Sequence, residues 1–267
     1  MIQSSEISKL AHRLGLGDKT IEKDYVLTWV LLALADSPLC DELAFKGGTA
    51  IKKVYLPDYR FSEDLDFTLL DTTLTNEALK ASLVGLLPWL KREANLILAI
   101  RKVETHSGGN PAIYLNYVGP LLGDLPSRFL KVDFTRDEIL VFPLGKKSLM
   151  APYSDCQDRK ALLTVYSLEE ILAEKLRSLL TRTEPRDLYD TYYMFSHQMV
   201  DVENMAFSMR PKFEMKGYVV SDLRTILARR QPTFRQLWEA RLRGQMPEIP
   251  PLEDVIRETN RIFKQYF

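Results

Sequence analysis

Two aspartates, Asp64 and Asp66, lie one residue apart in the alternating stretch RFSEDLDFTL. Side chains of a strand point to opposite faces in turn, so Ser62, Asp64, Asp66 and Thr68 share one face. Phe61, Leu65, Phe67 and Leu69 then face a core. Neighbouring carboxylates repel unless a cation lies between them, and hard oxygen ligands of this kind suit Mg²⁺ or Mn²⁺. About 15 residues upstream stands Lys46-Gly47-Gly48-Thr49. Glycines let the backbone come close to a bound group, and Thr49 is placed to cap the helix that follows. Backbone N–H groups at a helix start attract phosphate. A lone Gly-Gly is a turn and a lone Asp-x-Asp a solvated strand edge. The two together, in this order, read as a site for a nucleoside triphosphate and a metal.

A sheet and covering helices must hold these groups. Residues 4–14 and 19–35 read as helices around the turn Gly15-Leu16-Gly17-Asp18. In the second helix Ile21, Tyr25, Thr28, Trp29, Leu32 and Ala35 follow helical spacing. Glu22, Lys23 and Asp24 begin it, either as first-turn solubility or as site residues. A helix is expected over 74–92, and strands over 96–104 and 113–118, joined by a turn over 106–111. In RFLKVDFT (128–135), Leu130, Val132 and Phe134 alternate with Lys131, Asp133 and Thr135. Asp133 thus lies on a polar strand face, as Asp64 and Asp66 do.

Ser167 caps a helix over 167–181, with Glu170 completing a capping box. Leu168, Ile171, Leu172, Leu176 and Leu179 form its apolar stripe. Lys175 falls within the stripe, and Glu170, Glu174 and Arg177 fall opposite. An ammonium on an apolar face either reaches an anion (the triphosphate or the acidic cluster) or snorkels to the edge. Thr183 and Pro185 open a further helix. In it Asp187 and Asp190 share a face. Asp187 either bonds Lys175 or Arg186 or stabilises the helix start, and Arg186 is a candidate for phosphate. Tyr189, Tyr192, Tyr193 and Phe195 read as core.

KGGTAIKKVY followed by RFSEDLDFTL closely resembles the AbiEii/AbiGii nucleotidyltransferase toxins of bacterial abortive-infection and type IV toxin–antitoxin systems. These belong to the DNA polymerase β-like nucleotidyltransferase superfamily. EKDYVLTWVL and EEILAEKLRSLLTRTEPRDLYD extend the likeness over about residues 20–195. The resemblance implies that Asp133 is a third carboxylate, accepting the proton of the attacking hydroxyl or orienting it. The family motif has a lysine at the place of Lys175, and RDLYD matches its last motif, which holds the nucleotide-binding helix. The resemblance further implies an RNA acceptor, in this family the 3′ end of tRNA, and a cognate antitoxin.

Residues 208–243 carry nine Lys or Arg against three acids, with Phe213, Phe234 and Trp238 interleaved. Cations and aromatics together suit RNA, and Arg224, Arg229, Arg230 and Arg235 are the candidates. Pro247, Pro250 and Pro251 mark a linker before a last helix over 252–265. The whole chain has no net charge, with 36 Lys and Arg against 36 Asp and Glu, so only local patches can announce a nucleic acid. Cys40 and Cys156 have no metal-type spacing and read as free thiols of a reducing cytosol. Three histidines without pairing argue against zinc. The N-terminus lacks a signal-peptide pattern, and the apolar run over 25–35 is too short to span a bilayer.

The expected fold is therefore α+β (α/β), a polymerase β-like mixed sheet with flanking helices and a helical C-terminal half. A catalytic domain over 1–150 and a helical domain over 151–267, completing the nucleotide site and bearing the basic surface, are expected. The expected reaction is metal-dependent transfer of NMP from an NTP to RNA. Asp64, Asp66 and Asp133 hold two ions about 3.5–4 Å apart. Lys46, Gly47, Gly48 and Thr49 or Ser62 bind phosphates, and Lys175 neutralises the leaving group. The alternatives are transfer to a protein or small molecule, and an NTP-binding module without turnover.

Overall fold

The computed structural model describes residues 1–267, the side chain of Ser107 excepted. The chain forms two compact units, Met1–Glu138 with Leu144–Val165, and Ile139–Pro143 with Tyr166–Phe267.

The first unit opens with α1 (Ser4–Leu14) and α2 (Asp18–Ala35). Gly15 ends α1 in the left-handed region, φ 64°, where a glycine carries no Cβ penalty. Strand β1 (Leu43–Lys46) leads directly into the short α3 (Gly47–Ala50) and a wide helical turn over Ile51–Tyr55. Then follow β2 (Asp64–Leu69), α4 (Asn76–Ala94), β3 (Ile97–Thr105), β4 (Pro111–Val118), β5 (Phe129–Thr135), β6 (Leu144–Ser148) and β7 (Leu162–Tyr166). The seven strands make one mixed sheet in the order β3-β4-β5-β2-β1-β7-β6. Strand β2 pairs antiparallel with β1 and parallel with β5. The mixed α/β architecture is as the sequence led us to expect. The sheet keeps residues 144–165 with the first unit, beyond the expected boundary at 150, because β6 and β7 complete it.

One face of the sheet is core. Phe45, Phe67 and Phe134 are register partners on β1, β2 and β5. Phe45 and Phe67 meet at a tilt with centroids 5.2 Å apart, and Phe67 and Phe134 stack at 5.8 Å. Such pairs add about 0.5–1.5 kcal/mol each beyond their burial. The other face of the same strands carries the polar residues.

Helix α2 is buried nearly all round from Ile21 to Leu34, Glu22 and Asp24 included. Glu22 is not a solvating first-turn charge. It lies fully buried, accepting from the Leu121 N–H at 2.7 Å and from Arg128 Nη1. Asp24 accepts from Lys53 Nζ at 2.6 Å and from the Tyr153 hydroxyl at 2.6 Å. Periodicity missed this because a buried carboxylate is tolerated only where distant residues pair with it.

The second unit is helical: α5 (Leu168–Thr181), α6 (Pro185–Ser196), α7 (Val202–Ser208), α8 (Arg210–Glu214), α9 (Leu223–Leu242) and α10 (Leu252–Tyr266). Helix α5 packs on α6, α8 and α9, and α10 on α6, α7 and α9. The last helix buries Leu252, Val255, Ile256, Ile262 and Phe263, as its apolar spacing predicts.

Candidate active site

The polar face of the sheet is ordered by register. Lys46 of β1 stands opposite Asp66 of β2, and Asp66 is the partner of Asp133 on β5. One rung along, Asp64 is the partner of Lys131. Register partners project to the same face. The three aspartates read from sequence therefore share a face of adjacent strands, with Lys46 and Lys131 beside them. Asp64, Asp66 and Asp133 are half-buried, and Lys46 is buried.

Lys131 Nζ lies 2.7 Å from Asp133 Oδ2. Burial pulls the Lys131 pKa down, but the hydrogen bond and charge of Asp133, with Tyr114 and Asp64 beyond, outweigh it and leave the pKa raised. Lys131 was not among the residues singled out, although its place two before Asp133 on an alternating strand puts it on that face.

The glycine pair is fixed by what lies against it. Gly47 has φ +77°, and a Cβ there would overlap Asp66 Oδ2. A Cβ on Gly48 would come within 2.7 Å of Arg60 Nη2 and 3.2 Å of Ser62 Oγ. The Gly-Gly turn thus passes directly over the Asp66 carboxylate, a guanidinium and a hydroxyl. Thr49 does not cap the following helix. It lies within the helical turn, and its hydroxyl donates to the Asp64 carbonyl. That bond ties the turn to the strand bearing the aspartates. Arg60, buried at 4 % exposure, is the group sequence reasoning missed, although it stands in the same RFSEDLD motif.

The approach to Arg60 is braced by Lys52. Its ammonium donates to the carbonyls of Pro57 and Tyr59, both at 3.0 Å, and lies 3.9 Å from the centroid of Phe61. Burial pushes its pKa down to about 8. The opposing charge of Asp24 is a smaller effect.

In the second unit, Lys175 donates to Asp187 Oδ1 at 2.8 Å and lies 2.9 Å from Asp190 Oδ2. The sequence alternative in which Asp187 meets Lys175 is the one formed. Arg182 is its other cation, at 2.8 Å, whereas Arg186 pairs with Glu184 at 3.3 Å. Burial drives the Asp187 pKa up, but Lys175 and Arg182 outweigh it and hold the pKa below the ordinary carboxylate value. Glu170 lies opposite the apolar stripe but is not solvated there. It is fully buried and receives the Val141 and Phe142 N–H groups at 2.9 and 2.8 Å and Lys212 Nζ at 2.7 Å. Ser167 caps its helix as expected, while the Glu170 carboxylate is used elsewhere.

The aromatic part of the expected RNA surface at 208–243 is overturned. Phe213, Phe234 and Trp238 are core residues, and Lys212 is fully buried. Arg230 donates to the Leu180 carbonyl at 2.6 Å and so closes the end of α5. Arg224, Arg229 and Arg235 are exposed, with Arg229 bonded to Thr225 and Arg235 to Glu253. A helix places aromatics at the same spacing for a core as for a stacking surface, so composition could not tell them apart.

The donors Asp64, Asp66 and Asp133 are all carboxylate oxygens, which fits Mg²⁺ or Mn²⁺. Among the described residues, no three His, Cys, Asp or Glu side chains converge as a complete cation cage. A pair of carboxylates with substrate phosphates supplying the remaining ligands is how Mg²⁺ is commonly held.

The chain matches the family described as nucleotidyl transferase AbiEii toxin, type IV toxin–antitoxin system, over residues 29–261. Its fold is similar to that of the nucleotidyltransferase toxin MenT4 from Mycobacterium tuberculosis H37Rv. The TM-score is 0.69 at 19% identity, covering 98% of this chain and 89% of that one. It is also similar to JHP933 from Helicobacter pylori, with a TM-score of 0.61 at 17% identity, covering 94% of this chain and 93% of that one. No curated protein matches the sequence.

Proposed function

From the premise that this chain belongs to the AbiEii nucleotidyl transferase toxin family of type IV toxin–antitoxin systems, we propose that it transfers NMP from an NTP to RNA, at the 3′ end of tRNA. Family membership brings with it nucleotidyl transfer, an NTP donor and a cognate antitoxin. The RNA acceptor and the division of labour below are our reading. The observation that carries it is the glycine turn packed on Asp66, with Asp64 and Asp133 on the same face.

In this reading a ribose hydroxyl attacks the α-phosphorus of the NTP. The new P–O bond forms as the bond to the β-phosphate oxygen breaks, and pyrophosphate departs. The hydroxyl proton passes to the Asp133 carboxylate, which Lys131 Nζ holds at 2.7 Å. The Gly47-Gly48 backbone, Arg60 and Ser62 bind the phosphates, with Lys46 adding positive charge beside Asp66. Divalent ions held by the pair Asp64 and Asp66, with the substrate phosphates as further ligands, would neutralise phosphate charge and acidify the hydroxyl.

The test is incubation of the purified protein with Mg²⁺, each NTP radiolabelled at the α-phosphate, and total tRNA, alongside Asp66→Ala. Label in tRNA that the variant does not give is expected. Label only on protein, or tight NTP binding with no transfer, would overturn the RNA reading. Among the described residues no helix is long and apolar enough to cross a membrane.

A further inference from the structure

With the aromatics of 208–243 in the core, the acceptor needs another surface, and the first unit carries one. From Asp64 the register runs to Lys131 on β5, Tyr114 on β4 and Lys102 on β3. Phe129 lies two residues before Lys131 on the same strand face and is 39% exposed. The rings of Tyr114 and Phe129 are 5.8 Å apart. Cations surround both rings. Lys102 Nζ is 4.2 Å and Lys131 Nζ 5.9 Å from the Tyr114 centroid. Arg101 Cζ is 4.7 Å and Lys23 Nζ 5.7 Å from that of Phe129. The nearby acids are already engaged, Glu104 with Lys102 at 2.6 Å and Glu63 with Lys23 at 3.3 Å.

We propose that Tyr114 and Phe129 form the acceptor platform of this enzyme, on which unpaired bases at an RNA 3′ end stack while Arg101, Lys102 and Lys131 meet its phosphates. The proposal rests on the RNA reading above. Three features carry it. Two aromatic rings on an open sheet face match the way single-stranded bases are held, and bases within a duplex present no face to such a platform. Cations flanking both rings match a backbone that brings one phosphate with each base. Phe129 and Asp133 share a face of one strand, four residues or roughly 13 Å apart. A strand lying on the platform therefore runs toward the aspartates with its terminal nucleotides. The Arg101 guanidinium over Phe129 is itself a planar surface on which a base can stack.

The experiment compares wild type with Phe129→Leu, Tyr114→Leu and the double variant. Leucine keeps apolar area on the strand and removes the planar face. Three quantities are read: binding of a short single-stranded RNA oligonucleotide of mixed sequence, KM for total tRNA in the labelling reaction, and the Kd of a non-hydrolysable NTP analogue. Each single variant should weaken oligonucleotide binding and raise the tRNA KM roughly 5- to 100-fold, with NTP affinity unchanged. Phe129→Trp should restore binding. Unchanged RNA binding in the double variant, while wild type labels tRNA, overturns the platform and leaves the RNA reading intact. Loss of NTP affinity in step with RNA affinity also overturns it, since the rings would then hold the donor base or only the fold. A wild-type protein that transfers NMP but neither binds nor labels RNA brings down both.

Discussion

Gly47 lies so close to Asp66 that a single methyl group added at the glycine would overlap the Asp66 Oδ2 oxygen. Gly47 directly follows Lys46, the last residue of β1, and Lys46 is the register partner of Asp66 on β2. The glycine turn and the Asp66 carboxylate are therefore one packed unit.

Gly47→Ala is expected to reduce kcat about 100-fold, the scale of a misplacement near 1 Å. Its positive φ adds about 1–2 kcal/mol of strain for any side chain. Gly85→Ala, where nothing lies within 4 Å, serves as the control and should leave turnover unchanged. Steady-state labelling and urea unfolding of both variants check this.

Lys175 stands between two buried acids, Asp187 at 1% and Asp190 at 0% exposure. Lys175→Met should cost about 3–5 kcal/mol in urea unfolding, because buried charge loses its partner. Adding Asp190→Asn should recover part of that loss. If turnover stays low once stability has recovered, the leaving-group role read from the sequence stands; if it returns, Lys175 is a structural cation.

Acid should reveal the same cluster. The folded-state pKa of Asp187 lies below its ordinary value of 3.8. Its contribution is thus fully present above about pH 4 and is lost as pH falls through the depressed folded value. Asp187→Asn should be less stable than wild type at pH 7, and the gap should narrow as the pH is lowered below 4. Denaturant titrations across that range measure it.

Lys52 works in the opposite direction. Its pKa of about 8 in the folded chain lies below the ordinary lysine value of 10.5. Between these values the unfolded chain binds more protons, so stability should rise with pH, by up to about 3 kcal/mol. In Lys52→Met this part of the rise should vanish. The phosphate-side loop should also loosen, since the bonds to Pro57 and Tyr59 are gone. Paired unfolding curves at pH 7.5 and 10, with NTP affinity at pH 7.5, test both.

Much of the site was legible because its signals are local. Alternation alone placed Asp64, Asp66 and Asp133 on polar strand faces, and a tight turn needing φ > 0 explains Gly47. Helical spacing with Pro185 and Ser167 located α5 and α6. These follow from backbone geometry within a few residues, which a chain carries with it into any fold.

Tertiary structure alone decided which charges are buried and with whom. Local spacing left Glu22 and Asp24 either solvated or at the site and put Glu170 opposite the apolar stripe, yet Arg128, Lys53 and Lys212 reach them from elsewhere in the chain. The same holds for Phe213, Phe234 and Trp238, whose spacing suits a core or a surface equally. Strand register, too, was beyond the sequence, and it is register that sets Asp133 beside Asp66 and Tyr114 beside Lys131. The physical reason is common to all three. Desolvating a charge or a ring is a property of the neighbours that exclude water, and those neighbours are distant in sequence.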